Sequence, residues 1–346
     1  MPLDLRNYNN IALALRQDPE DIPMDGEVLC DIKRNSQNED KEVPWREKKM
    51  RNEKLADIYA YVDESKMVRL RECGKFLDFR VYENGEKKLH SMSSCRVRLC
   101  PICAWRRSLK TFYNNLDIMN YLRNKAGKEY KFIFLTLTIR NCRGYELSET
   151  IDDIFAGIHR MYERPEWKRA VKGSCRCLEI THNIDRTSEF FDTFHPHVHY
   201  LIAVNKSYFT SAAYMSKAQW QELWRSCMGL DYPPHVHVER CYGTDAKAVA
   251  ECSKYSTKDI EYVIPDEWEL SVKTVKILDH CLANRRLVGY TGVFREAKAI
   301  LKLEDEENGN LVSLRAEEEL NEVLDQGYKI QTYCWYSGYQ QYVSIK

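Results

Sequence analysis

The sequence has no excess of charge of either sign and no long hydrophobic run. Among its 346 residues, Lys+Arg and Asp+Glu both number 52, so net charge does not indicate nucleic-acid binding and any basic surface must be local. The apolar run near the N-terminus covers only residues 11–15. We therefore expect neither a signal peptide nor a membrane-spanning helix, and we expect a cytoplasmic protein.

The cysteines predict a metal site. In a reducing compartment, the 13 cysteines are thiols or metal ligands rather than disulfides. Cys100 and Cys103 form a Cys-Pro-x-Cys knuckle, a tight turn that aims two thiolates at one ion. With Cys73 and Cys95 they offer the four sulfurs that tetrahedral zinc prefers. We predict a structural zinc, with His90 as a rival fourth ligand and a set of buried free cysteines as the alternative.

One local basic stretch overlaps this knuckle. It contains no acidic residue, and its five cations are Arg96, Arg98, Arg106, Arg107 and Lys110. We predict a helix from residue 106 to about residue 125, which would lie against DNA if the zinc unit is a DNA-binding module. A solvated charged helix face explains the same pattern.

From residue 130 onwards, periodicity predicts alternating strands and helices. Strands are predicted at residues 131–140, 175–181, 195–204 and 235–241, and helices at residues 147–170, 216–228 and 244–257. The order β-α-β-β-α-β, followed by a helix, is that of the ferredoxin-like split βαβ, an α+β fold with an antiparallel sheet. In its usual strand order, 4-1-3-2, the third strand is central. We expect helices on one face of the sheet and an open second face.

We divide the chain into four parts. Residues 1–50 are polar and are predicted to be flexible. Residues 51–127 form the zinc-binding and DNA-binding element, which contains a predicted hairpin. Residues 128–265 form the sheet domain, and residues 266–346 form a helical region that ends in a β-hairpin tail.

The third predicted strand carries histidines at alternate positions. Side chains two residues apart in a strand point to the same face, so His197 and His199 project together and can hold one metal ion. Glu179 on the neighbouring strand faces the same side, and strands lie about 4.8 Å apart. We therefore predict Glu179 as the third ligand. His195 has the same parity and is its rival.

A second histidine pair shows that such pairs also arise by chance. His235 and His237 alternate in the fourth predicted strand. In the 4-1-3-2 order that strand is an edge strand, two strand spacings or about 10 Å from the central one. We therefore expect this pair not to bind the same ion.

The helix predicted after the fourth strand carries a stripe of three polar groups. Glu251, Tyr255 and Lys258 are three or four residues apart and share a helix face. An ion pair and a half-buried tyrosine on a surface helix would give the same pattern. Beside a metal on two imidazoles and a carboxylate, the Tyr255 phenol can attack a phosphodiester to leave a 5′-phosphotyrosine and a free 3′-OH, with Lys258 neutralising charge.

Several of these features belong to longer motifs. The motifs are Phe134-Leu135-Thr136-Leu137-Thr138, His195-Pro196-His197-Val198-His199, Lys254-Tyr255-Ser256-Thr257-Lys258-Asp259, and residues 99–110 and 286–290. Across residues 70 to 303, the chain closely resembles the plasmid rolling-circle replication initiators of the HUH endonuclease superfamily, in the Rep family with a single catalytic tyrosine. The resemblance implies binding of a double-strand origin, nicking by Tyr255, and priming of leading-strand synthesis from the freed 3′ end.

The resemblance also implies cofactors, partners and a role for Glu251. Such proteins use magnesium or manganese, and imidazole ligation favours manganese in affinity. Glu251 occupies the place of a glutamate that activates water at termination. The implied partners are host helicase, DNA polymerase and single-strand-binding protein, with homodimerisation left open. A mobilisation relaxase or single-strand transposase would use the same chemistry, although relaxases usually place the tyrosine before the histidines; a non-catalytic zinc-dependent DNA-binding regulator is the other alternative.

Overall fold

The structure is a computed structural model that describes residues 26–30, 32–34, 40–124, 129–242, 246–253, 258–314 and 327–345. This part of the chain is a mixed α+β structure with antiparallel sheets, which confirms the predicted class. None of the helices in these ranges combines the length and the apolar character that a membrane span requires.

The elements are numbered here in chain order. The strands are β1 (Ile32–Arg34), β2 (Asp40–Glu42), β3 (Phe76–Tyr82), β4 (Lys87–Met92), β5 (Tyr130–Thr138), β6 (Val171–His182), β7 (Phe194–Asn205), β8 (Val236–Cys241), β9 (Val288–Thr291), β10 (Tyr328–Tyr336) and β11 (Gln341–Ile345). The helices are α1 (Trp45–Tyr59), α2 (Glu64–Glu72), α3 (Pro101–Asn124), α4 (Leu147–Glu163), α5 (Pro165–Ala170), α6 (Lys217–Met228), α7 (Ala246–Cys252), α8 (Trp268–Leu282) and α9 (Gly292–Ile300).

The central sheet has five strands in the order β8-β5-β7-β6-β9, and every neighbouring pair is antiparallel. Its first four strands have the predicted 4-1-3-2 order, and the histidine strand β7 is central as expected. The fifth strand, β9, was not predicted and extends the sheet beyond β6. Strand β9 has only 4 residues, too few for periodicity to give a signal.

Helices α4 and α6 cover the predicted helical face of the sheet. Ile133, Leu135 and Leu137 alternate along β5 and enter a core that includes Trp220 and Trp224 of α6. The single helix predicted over residues 147–170 is interrupted before α5, which has proline at its first position. Proline lacks the amide hydrogen that a continuous helix would need there.

Half of the second face is covered, so the expectation of an open second face is wrong for that half. Phe132, Cys175 and Leu201 lie on that face and are buried in a second core beneath α3, α7 and α9. The reason is visible in the strands themselves. Each carries apolar residues at one end of this face, and burying them contributes stability in proportion to the area removed from water. Glu179 and His199 occupy the other end.

The two predicted hairpins belong to one four-stranded sheet in the order β11-β10-β3-β4. The hairpin turn beside β3 uses Gly85 at φ +81°, a conformation that glycine adopts without strain. The tail strand β10 pairs along β3, and β11 also accepts residues near the start of the described chain: Leu29 N donates to Tyr342 O at 3.0 Å. The tail therefore packs next to the predicted zinc element.

Two predicted helices also differ in the structure. Apolar residues at helical spacing predict one helix around residues 52–70, but the structure has two, α1 and α2, and the second begins at an Asp63 side chain that accepts from Lys66 N. The helix predicted from residue 106 begins at Pro101, where proline suits a first turn. The predicted helix start at residue 244 lies outside the described residues, which resume at Ala246 in α7.

Candidate metal centre and active site

The adjacent strands β6 and β7 bring Glu179, His197 and His199 together. Glu179 lies opposite His197 in the strand register. Its Oε2 is 3.1 Å from His197 Nε2 and 2.9 Å from His199 Nε2, and the three ligand atoms lie within 4.8 Å of one another. Two imidazoles and one carboxylate oxygen thus converge on one point, as a divalent cation requires.

The other ring nitrogens have partners that fix the histidine orientation. His199 Nδ1 is 3.1 Å from Thr136 Oγ1, and His197 Nδ1 is 3.1 Å from the His195 carbonyl oxygen. Nδ1–H donation to these oxygens leaves both Nε2 lone pairs directed at the centre. Phe134 stacks on the His199 ring with centroids 5.6 Å apart. Sequence reasoning missed Thr136 and Phe134, although both share the parity of the site residues.

Burial and hydrogen bonding set the charge states of the centre. Burial raises the pKa of Glu179, but hydrogen bonds and charge from His197 and His199 outweigh it and hold that pKa well below its usual range. Burial lowers the pKa of His199, and the Glu179 hydrogen bond offsets this only in part. An ionised carboxylate beside a neutral imidazole is the donor set that a metal ion binds.

The rival histidines, His195, His235 and His237, are not part of the three-ligand group. The His195 ring centroid is 5.4 Å from that of His197. His237 lies on β8, opposite Thr136 across one ladder, whereas His199 lies opposite Thr136 across the other. Strand β5 therefore separates the two pairs, as the predicted order required. His237 is exposed and contacts Glu239 at 3.4 Å.

A second carboxylate, Glu261, approaches the centre and was missed. It lies on a single 3₁₀ turn, and its Oε2 accepts from His182 N at 3.0 Å. Burial raises the pKa of Glu261, and the nearby Glu179 charge adds to this, so the two carboxylates are electrostatic neighbours. Strand alternation predicts only which side chains of a strand share a face, so it could not predict Glu261, which lies on a turn outside the sheet.

The predicted Tyr255 stripe is described only in part. Residues 254–257, and therefore Tyr255, lie outside the described residues. Glu251, at the end of α7, is half-buried, and its charge partly offsets the lowering of the His199 pKa. Lys258 is exposed, with its Nζ 3.5 Å from Glu261 Oε1. Glu251 and Lys258, which flank position 255, therefore interact electrostatically with His199 and with Glu261, respectively.

The four predicted zinc ligands form one buried cluster. Cys73 Sγ is 3.5 Å from Cys100 Sγ and 3.6 Å from Cys103 Sγ, and Cys95 Sγ is 3.8 Å from Cys103 Sγ. Sulfurs bound at ~2.3 Å to a tetrahedral ion are about 3.8 Å apart. The observed separations fit that geometry. The rival ligand His90 is exposed on β4 and is not in the cluster.

A buried lysine supports the cluster. Lys49 is 1% exposed, and its Nζ donates to the carbonyl oxygens of Arg71 and Cys73 at 2.9 and 2.8 Å. Burial lowers the pKa of Lys49, while the charge of the neighbouring thiols opposes the shift. Four thiolates around a divalent ion carry a net charge of about −2, which a buried ammonium partly balances.

Gly74, the residue after Cys73, has φ +63°, and a Cβ there would meet Ile102 Cδ1 at 2.7 Å.

The predicted DNA-binding cations contact another segment of the chain. Arg106 Nε donates to Leu311 O at 2.7 Å, and Lys110 Nζ donates to Asn310 O at 2.7 Å. Arg107 donates to Arg96 O at 3.0 Å. Arg106, Arg107 and Lys110 are buried, so the alternative of a solvated helix face is wrong for them.

The two remaining cations are also occupied. Arg96 donates to Asn308 O at 2.8 Å, and Arg98 pairs with Glu307 at 3.3 Å. The acidic segment at residues 304–307 therefore lies against the basic stretch. DNA binding by these five residues stays a prediction, and phosphate groups would have to compete with these contacts.

Comparison with known proteins places these motifs in context. Residues 86–343 match a family model described as a replication protein. A curated "Protein rep" from Bacillus amyloliquefaciens is 36% identical over 335 residues, covering 88% of this chain and 94% of that protein. A "Protein rep" from a Bacillus species is 40% identical over 271 residues, covering 72% and 85%. A "Protein rep" from Streptococcus pneumoniae serotype 2 is 33% identical over 309 residues, covering 87% and 92%. No solved structure gives a significant match.

We predict that the purified protein retains about one zinc through the cysteine cluster after mild chelation, because four buried thiolates hold zinc more tightly than an N/O centre holds its ion. Cys95→Ser should lose this zinc, whereas His90→Ala should keep it. Elemental analysis of the folded proteins measures both. A folded wild-type protein without zinc would favour the free-cysteine alternative.

We predict that His199→Ala abolishes manganese binding at the centre formed by Glu179, His197 and His199, because it removes one of the two imidazoles that share the Glu179 oxygen. The double change His235→Ala/His237→Ala should leave binding within about threefold of wild type, since β5 separates that pair from the centre. Electron paramagnetic resonance of added Mn²⁺ gives the free fraction. Equal damage from both variants would show that the wrong pair has been chosen.

Proposed function

The chain belongs to the replication protein family, and we propose that it starts rolling-circle replication of a plasmid by nicking one strand of the double-strand origin. In this proposal the central sheet is the ferredoxin-like sheet of an HUH endonuclease. The observation that carries the proposal is the convergence of Glu179, His197 and His199 on one point of the central strand pair. The predicted strand order, which is the order observed, supports it.

The nucleophile in this proposal is the phenol oxygen of Tyr255. It loses its proton as it attacks the scissile phosphorus, the bond to the 3′ oxygen breaks, and the departing oxygen takes up a proton to become the 3′-OH primer. The DNA 5′ end remains as a phosphotyrosine, so the phosphoester is conserved for later rejoining. A bound manganese or magnesium ion supplies charge stabilisation and orientation at the phosphate. Glu179, His197 and His199 would hold this ion, and Lys258 would neutralise the negative charge that develops at the phosphate.

Two other tyrosines near Tyr255 in sequence are weaker candidates. Tyr262 is 1% exposed, and its hydroxyl donates to Leu99 O at 2.5 Å, so it is committed to the core. Tyr242 is 71% exposed at the end of β8, the edge strand next to β5 rather than to β7. Neither geometry supports a nucleophile held beside Glu179 and the two histidines.

Glu251 is proposed to act at termination. A tyrosine already attached to DNA is not available for a second cleavage, so product release after one round needs another nucleophile. A carboxylate beside the centre can take a proton from water that attacks the same phosphate. The charge of Glu251 acts to raise the pKa of His199, which supports a position of this carboxylate near the centre.

The proposal extends to partners and to the zinc element. We infer that the zinc unit takes part in recognising origin DNA, and that host helicase, DNA polymerase and single-strand-binding protein act on the nicked product. A mobilisation relaxase or a transposase would use the same chemistry. A zinc-dependent regulator without catalysis would not need the convergence of Glu179 and the two histidines.

We expect Tyr255→Phe to abolish covalent attachment to a single-stranded origin oligonucleotide and to leave origin binding intact, because only the phenol oxygen is removed. Denaturing gel electrophoresis of the protein–DNA adduct measures attachment. Tyr242→Phe, at an exposed tyrosine, is the matched control and should behave like wild type. An adduct that persists in Tyr255→Phe would assign the nucleophile elsewhere.

Glu251→Ala should leave first-strand nicking near normal but impair termination, because the general base is needed only for the second cleavage. Replication should then run past one unit length and give multimeric single strands. A plasmid with two origins measures initiation and termination separately. If Glu251 only pairs with a neighbouring lysine, the change should cost a few tenths of a kcal/mol in stability, and both steps would be affected equally or not at all.

A further inference from the structure

A third group of potential metal ligands lies in the second core, outside the sites described above. Cys175 and Cys177 are two residues apart on β6 and point to the same face, and Cys252 ends α7 above them. Their three sulfurs lie within 4.8 Å of one another, and all three residues are at most 1% exposed. Three thiols from two different elements thus meet at one buried point.

The spacing suits a bound ion with little rearrangement. Three sulfurs at ~2.3 Å from a common ion lie about 4.0 Å apart in a trigonal plane and about 3.8 Å apart on a tetrahedral face. Separations of at most 4.8 Å exceed these values by about 1 Å or less. Rotation of the cysteine side chains is enough to close that difference.

A neighbouring amide provides a second, independent observation. Asn115 of α3 is 0% exposed, its side chain is in hydrogen-bonding contact with Cys175, and its Nδ2 is 3.4 Å from Ser253 Oγ. Its Oδ1 has no hydrogen-bond partner in the described structure. A buried amide oxygen ordinarily has a partner, so one is missing here. This unpartnered oxygen belongs to a side chain that contacts Cys175, so a buried oxygen lies close to the three thiols.

We propose that Cys175, Cys177 and Cys252 bind a thiophilic d¹⁰ metal ion through their three sulfurs. Soft thiolates select ions such as zinc or Cu(I) over magnesium or manganese. The ion enters as the chain folds, because the bound site is closed to solvent. When bound, it ties the end of α7 to β6.

The site has a direct consequence for the arrangement of α7. Cys252 follows Glu251 and also contacts the strand that carries His199, with its Sγ 3.7 Å from His199 O. An ion at the three thiols therefore fixes the helix end next to the centre formed by Glu179 and the two histidines. Metal binding itself does not rest on the proposed nicking activity.

The test is the number of thiolate-bound ions in the full chain refolded with ¹¹³Cd²⁺. Cadmium NMR and the sulfur-to-cadmium charge-transfer absorption separate sulfur-bound ions from an ion at the histidine centre. We expect two sulfur-bound ions in wild type, one from the four-cysteine cluster and one from the three-cysteine cluster. Cys252→Ser should lose one of the two, whereas Cys281→Ser, at a buried cysteine outside both clusters, should keep both.

Only one sulfur-bound ion in the wild-type protein would overturn the proposal and leave three packed thiols in a core. That count decides the question even if Cys252→Ser fails to fold. Elemental analysis of protein purified without added cadmium then distinguishes zinc from copper as the native ion. Because no step measures nicking, failure of this proposal and failure of the proposed function give different results.

Discussion

The antiparallel register between β6 and β7 is the constraint on which the candidate site depends. It sets Glu179 opposite His197 and Cys177 opposite His199. A slip of one residue would move every side chain of one strand to the other face, and would exchange the buried Val198 for a histidine. Such a slip would bury the imidazoles beneath α4 and α6 and expose apolar side chains. The same burial that stabilises the sheet therefore specifies the metal centre.

The second face of the sheet is divided along the strand direction. At one end lie Phe132, Leu201 and Cys175, which need covering; at the other lie Glu179 and the two histidines. The covering helices come from widely separated parts of the chain: α3 precedes the sheet, α7 follows its first four strands and α9 follows β9. Helix α7 thus has two roles: it covers apolar surface through Val249 and ends beside the polar half of the face. A helix placed in this way is held by hydrophobic burial rather than by the polar residues beside it.

Sequence periodicity identified most of the central sheet, because its strands alternate clearly, whereas the resemblance of the motifs identified the family. Periodicity also identified Glu179, since neighbouring strands place side chains of like parity together. It could not find Glu261, which a turn supplies, or Lys49, which approaches the cysteines from α1. It also misjudged the surroundings of Arg106 and Lys110. A basic run is visible in sequence, but the carbonyl oxygens of a distant loop that occupy it are not.

The two candidate metal centres differ in ligand type. The four-cysteine cluster is made of soft sulfur donors with a buried ammonium nearby, whereas the strand centre offers nitrogen and oxygen donors beside a carboxylate-rich turn. Manganese and magnesium bind thiolates weakly, and zinc binds them strongly. An ion exchanging at the strand centre would therefore not displace a structural zinc. Different segments supply the two ligand sets: Cys73 follows α2, Cys95 follows β4 and the last two cysteines lie at the start of α3, whereas β6 carries Glu179 and β7 carries both histidines.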